Sequence, residues 1–127
     1  MEITTTIDTK NNIREHKIIG SLSKSLLLAK LKEIYSSSDF HPNMNAYWDF
    51  SFADLTLFSL EDIAQIANFV KEHWIPSEQP KVALMAPAAL THLISKKLVE
   101  QFADHASTKV KAFDHPEKAL LWLKLDK

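Results

Sequence analysis

Two carboxylates and a hydroxyl lie close together near the middle of this sequence. They are Asp49, Asp54 and Ser59, within Ala46-Tyr47-Trp48-Asp49-Phe50-Ser51-Phe52-Ala53-Asp54-Leu55-Thr56-Leu57-Phe58-Ser59. A pair of carboxylates can do general acid and base work. Asp49 stands near the C-terminal end of an apolar, strand-like run, where open α/β sheets gather ligands, and Asp54 follows in the turn. Each also has a plain structural role, because an aspartate side chain bonds the backbone of its own turn. No nucleophile, oxyanion donor or charge partner accompanies them, so the chain reads as non-enzymatic. Ser59 has the position of a helix N-cap, with Asp62 completing a capping box and Phe58 and Ile63 at the two staple positions. If phosphorylated, Ser59 would place a dianion at the positive end of the helix dipole. The connection before it holds Phe52, Leu55, Leu57 and Phe58, and those left exposed would form an apolar patch flanked by Asp54, Glu61 and Asp62. Asp49, Asp54, Leu55, Leu57 and Ser59 are therefore the candidate partner- or ligand-binding residues, and Ser59 is also the candidate for phosphorylation.

Other chemistries are excluded or unsupported. The sequence has no cysteine, which removes disulfides, thiolate catalysis and cysteine-ligated metal, and it fits a cytoplasmic protein. Its one glycine, Gly20, cannot make a Walker or dinucleotide loop. The six histidines, His16, His41, His73, His92, His105 and His115, show no paired metal-binding spacing and read as surface or boundary residues. No cofactor or metal is expected. A net charge of −1 gives no footprint for nucleic acid. Six cations lie between Lys10 and Lys32, interrupted by Glu15 and Glu33, and read as solvated faces. No signal peptide is visible at Met1–Thr5, and the longest apolar run, Val82 to Leu90, is too short to span a membrane.

These residues need elements to position them. At 127 residues, 46% hydrophobic and 24% charged, the chain reads as one ordinary globular domain over 1–127. Ile3, Thr5 and Ile7 alternate with polar residues over Glu2–Asp8, the pattern of a half-buried strand, and Ile13–Ile19 makes its hairpin partner. Ser23, with Ser21 as the alternative, is the N-cap of a first helix whose stripe is Leu27, Leu28, Leu31, Ile34 and Tyr35. A polar loop with Pro42 leads to the central strand Ala46–Phe50, whose nearly continuous apolar run predicts burial on both faces. A second helix presents Ile63, Ile66, Ala67, Val70 and Trp74, and ends before Pro76. Lys81–Ala86 is a further buried strand. Pro87 then opens a third helix, with Leu90, Leu93, Ile94, Leu98 and Phe102 as its buried face. That helix lacks a side-chain cap. Lys109–Phe113 reads as an exposed edge strand. Asp114 and Glu117 make a capping box for a last helix that packs Ala119, Trp122 and Leu123 inward. The order β-β-α-β-α-β-α-β-α predicts an α/β fold with a mixed sheet of four to five strands and four helices.

The chain resembles the STAS or SpoIIAA-like superfamily, and its uncharacterised bacterial branch in particular. The resemblance rests on Gly20-Ser21-Leu22-Ser23 after the hairpin, Trp48-Asp49-Phe50 in the central strand and Val82-Ala83-Leu84-Met85-Ala86-Pro87 in the next. The end of the chain, Phe113-Asp114-His115-Pro116-Glu117-Lys118-Ala119-Leu120-Leu121-Trp122-Leu123, completes it. It implies a small cytoplasmic domain that works by binding a protein partner, in a regulatory or adaptor role. In the anti-sigma factor antagonists a serine at the start of the helix after the central strand is phosphorylated. Ser59 matches that place, while Phe58, Leu60 and Glu61 replace the rest of the motif, so the switch is not intact. The topology also resembles lipid-binding Sec14-type domains. That implies an alternative, a small apolar or anionic ligand held in the crevice at the C-terminal ends of the central strands. A homodimer would need only one self-complementary patch.

Overall fold

The computed structural model describes residues 2–41, 43–73, 80–103 and 109–125. Pro42, Trp74, Pro76 and His105, each given a role above, lie outside the described residues. The elements run β1 (Glu2–Asp8), β2 (Ile13–Ser21), α1 (Lys24–Ser36), β3 (Asn45–Asp54), α2 (Leu60–Glu72), β4 (Lys81–Met85), α3 (Ala89–Glu100), β5 (Lys109–Phe113) and α4 (Pro116–Lys124). They form one five-stranded sheet whose strand order follows the chain, β1-β2-β3-β4-β5. β1 and β2 pair antiparallel as a hairpin, and every later pairing is parallel. Asn12 turns the hairpin in the left-handed region, at φ 55°. Gly20 takes φ 100°, just beyond a register shift between Lys17 and Ile19 that lets the end of β2 follow β3.

Two cores lie on opposite faces of the sheet. The larger collects Ile18 and Leu22 from β2 and its end, Trp48 and Phe50 from β3, and the stripes of α1 and α2. The smaller joins Ile13, Tyr47, Ala83, Met85 and Phe113 to Ala119 and Leu123 of α4. Residues 46–48 serve both in alternation, which is why their sequence is apolar without a break. Asn45 ties α4 to the sheet: its Nδ2 donates to the Leu123 carbonyl at 3.0 Å, and its Oδ1 accepts from the Lys81 backbone at 2.9 Å. Lys81 is buried on the α4 face. Its Nζ donates to the carbonyls of Trp122 (2.9 Å) and Leu125 (2.5 Å), closing the C-terminal end of that helix.

Several expectations need correction. β3 runs on to Asp54, so Phe52 belongs to a strand rather than a turn. Pro87 precedes the N-cap of α3, which is Ala88, and does not open the helix. In α3, Leu90 and Leu93 are exposed while Thr91 and Ser95 are buried. The Ser95 hydroxyl bonds the Thr91 carbonyl at 2.9 Å, so a polar side chain can stand inside the packed face. The last helix is capped by His115 without a side-chain bond and has Pro116 in its first turn, so the Asp114–Glu117 box does not form. His16 and Arg14 are buried, not surface residues.

Candidate functional site

The β3–α2 connection collects Asp54, Leu55, Leu57 and Ser59. Asp54 accepts the Thr56 amide at 2.9 Å and its hydroxyl at 2.6 Å, with the Ser21 hydroxyl at 3.3 Å. These bonds, those from Thr56 first, hold its carboxyl below the usual carboxylate range. Ser59 forms the capping box: its Oγ accepts the Asp62 amide at 3.0 Å, and Asp62 Oδ2 accepts the Ser59 amide at 3.1 Å. The Ser59 amide is the main reason that the Asp62 carboxyl is also held low. Lys24 lies 3.6 Å from Asp62. Leu55 is buried. Leu57 (59% exposed), Leu60 (71%) and Phe52 (64%) are open to solvent.

Asp49 does not join this group. It lies five residues earlier in β3, roughly 15 Å from Asp54 along an extended strand. Its Oδ1 accepts the Ser51 amide at 2.9 Å. Each carboxylate thus binds its own local backbone, and the two make no acid–base pair.

A larger internal space lies elsewhere. A cavity of about 80 Å³ lies between the sheet and helices α1, α2 and α3, partly open to solvent. Its floor is Ala46, Trp48, Val82 and Val110, and Leu31 and Val70 are among the helix residues over it. The strand residues come mostly from the N-terminal halves of β2 to β5, and the helix residues from the C-terminal halves. This is the opposite end from the expected crevice. At the expected end lies a smaller void of about 20 Å³, lined by Leu22, Phe50, Leu55 and Phe58 among others. Aromatic rings crowd the larger cavity. Tyr35 stacks on His73 with centroids 4.5 Å apart and meets Phe40 edge-on at 5.1 Å. His73 donates from Nδ1 to the Phe69 carbonyl at 2.9 Å.

One cation lines this apolar space. Arg14 is 7% exposed, and its guanidinium carbon lies 5.2 Å over the Phe40 ring. Its Nε donates to His16 Nε2 at 2.8 Å. His16 must therefore carry its proton on Nδ1, which donates to the Thr5 hydroxyl at 2.9 Å. His16 is 0% exposed and its ring lies 4.2 Å from that of Trp48. Burial, then the charges of Arg14 and Lys30, push its pKa down to about 2, so it stays neutral and adds no second positive charge beside Arg14. Arg14 Nη1 is buried with no hydrogen-bond partner among the described residues. Tyr35 is pushed up to about 12 by burial, with Arg14 opposing the rise, so the phenol also stays neutral. Arg14, Tyr35, Phe40 and His73 escaped the sequence reading as site residues. A signal for Arg14 was present: Arg14, His16 and Ile18 share one face of β2 by period two, and Ile18 has to face the core.

Among the described residues no cluster of His, Cys, Asp and Glu could hold a metal, and no helix is long and apolar enough to cross a membrane. No protein-family model matches the chain, and no curated protein matches it. A solved structure does. The chain is similar to an uncharacterised protein of the DUF3478 family with a SpoIIAA-like fold from Shewanella loihica PV-4. The two share 17% identity at a TM-score of 0.59, over 96% of this chain and 92% of that one. The fold is SpoIIAA-like. The five-stranded mixed sheet and four helices agree with the fold class expected from the sequence.

Proposed function

We propose that this SpoIIAA-like protein is a non-enzymatic binding domain whose cavity receives a small ligand with an apolar body. The observation that carries the reading is the cavity of about 80 Å³ between the sheet and helices α1 to α3. Protein interiors are packed to crystal density, and voids larger than a water are few. The walls here are apolar apart from a few polar groups, the usual make-up of a small-molecule site. The space is smaller than the ~150 Å³ engineered cavity that admits benzene but is partly open to solvent, so a narrow aliphatic chain with one end at the mouth fits better than a compact ring. Hexanol titrated into isotope-labelled protein tests this by NMR. Resonances of Leu31, Trp48 and Val82 should shift, and those around Ser59 should not. Ala46→Leu, which fills the floor, should abolish the shifts. Hexanol that leaves these resonances unmoved, or that binds Ala46→Leu as well as wild type, ends this reading.

A second reading has its own observation. Phe52, Leu57 and Leu60 are exposed beside Asp54 and Glu61, and exposed apolar patches with polar rims mark interfaces. On this reading the domain is a cytoplasmic adaptor or regulator whose protein partner docks at the β3–α2 connection, with Ser59 as the modulated residue. The partner could be a second copy of this chain. Affinity capture from the native cell, with Leu57→Asp/Leu60→Asp beside wild type, tests it. A partner should be lost from the double variant. Ser59→Asp should weaken capture and Ser59→Ala should not. If the double variant captures the same partners as wild type, the docking surface is wrong; if the two Ser59 variants both do, the switch is wrong.

A further inference from the structure

We propose that the cavity ligand is a monoanion, a short-chain carboxylate whose acid group sits on the free edge of Arg14; this rests on the cavity reading above. A buried cation is held in place by pairing or by full hydrogen bonding, and one that lacks both destabilises the fold that contains it. Arg14 has its guanidinium over the Phe40 ring and His16 on Nε, yet Nη1 stays unpartnered among the described residues in the wall of an apolar cavity. His16 is committed on both nitrogens, to Arg14 and to Thr5. It positions the guanidinium and adds no charge. Among the described residues no carboxylate makes a salt bridge to Arg14. The vacant position therefore accepts a hydrogen bond acceptor, and negative charge on that acceptor strengthens the contact. The rest of the ligand meets Leu31, Trp48 and Val82, so its body must be apolar. The C-terminal ends of α1, α2 and α3 close on the same end of the sheet, and their carbonyl dipoles favour a cation. Arg14 already is that cation, and an incoming amine would meet it as a like charge.

The test compares three ligands of one chain length, hexanoate, hexanol and hexylamine, by NMR titration of the full chain. Wild type should bind hexanoate about tenfold or more tighter than hexanol, the expected scale of one charge-assisted hydrogen bond, and hexylamine most weakly. In Arg14→Met the hexanoate and hexanol affinities should converge. Equal affinities in wild type would overturn the charge assignment and leave the cavity reading standing. A preference for hexylamine would overturn it too, with the helix ends as the selecting group. A hexanoate preference that survives in Arg14→Met would place the anion elsewhere. If none of the three binds, the cavity reading itself falls. Should Arg14→Met fail to fold, Arg14→Lys decides. It keeps the charge and loses the forked geometry, so its hexanoate-to-hexanol ratio should fall below that of wild type, and an unchanged ratio overturns the proposal.

Discussion

Among the described residues the sheet buries one cation on each face, and the two are treated differently. Lys81 lies on the α4 face with its ammonium on the carbonyls of Trp122 and Leu125 and over the Trp122 ring. Arg14 lies on the other face against Phe40 and a neutral histidine, with one nitrogen unpartnered among the described residues. The same physics reads the two cases in opposite ways. A buried charge whose donors are used is part of the scaffold, here the clamp that ends a helix. A buried charge with a donor to spare beside a cavity has the form of a site. Topology alone points to the other end of the sheet, where open α/β folds gather their ligands. In this protein the void at that end, about 20 Å³, is smaller than the cavity beside Arg14.

The sharpest way to break this contrast is to remove each cation in turn. Lys81→Met orphans two carbonyls at the C-terminal end of α4 and should cost about 2–3 kcal/mol in urea unfolding, the scale of hydrogen bonds to a charged group. Arg14→Met in the ligand-free protein removes an unpaired charge and leaves only the His16 acceptor unsatisfied, so it should stay within about 1 kcal/mol of wild type. Equal losses at the two positions would mean that Arg14 is as structural as Lys81.

Acid sharpens the same comparison. The His16 pKa of about 2 in the folded chain compares with 6.5 for an unperturbed imidazole. The unfolded chain therefore takes up a proton below about pH 6.5 that the folded chain refuses. The stability that His16 contributes is complete above that pH and declines as the pH falls, by up to about 1.4 kcal/mol per unit. Arg14→Met/His16→Phe should flatten that slope between pH 6 and about 4.5 in thermal or urea melts. The exposed carboxylates Asp8, Asp54 and Asp62, all held low by local hydrogen bonds, lose their contributions as the pH falls through the lower carboxylate range and do not confuse the window. A slope unchanged in the double variant would show that His16 titrates normally.

The smallest expected effect lies away from both cations. Ser59→Ala should lose about 1 kcal/mol through the missing cap, and Ser59→Asp should restore most of it because aspartate also caps. Neither change should alter binding at the cavity. A Ser59 variant that did so would couple the two ends of the sheet and blur the distinction drawn between them.

What was legible in the sequence was local. The Ser59–Asp62 capping box, the Ser23 cap and the alternation of β1 are each written within a few residues, and each is found as expected. The site was not local. Its walls come from Arg14, Tyr35, His73, Val82 and Val110, which meet only through the sheet order and the helix layer. Arg14 is hidden among six cations when charge alone is weighed; the face of β2 on which it stands sets it apart. The α3 stripe misled for a related reason. Leu90 and Leu93 look like core by hydrophobicity, yet packing turns Thr91 and Ser95 inward. The helix starts misplaced at Pro87 and Asp114 are each off by one or two residues, which changes the residue at the cap.

The strand order repeats the chain order, and this has a consequence for synthesis. Each strand pairs with the one made just before it, so the sheet can grow from its first hairpin outward as the chain emerges, without waiting for a distant partner. The cavity cannot form so early. Its floor is complete only when Val110 of β5 arrives, almost a hundred residues after Arg14. The cavity is therefore among the last parts of the fold to be completed, on a sheet whose earlier strands are already paired.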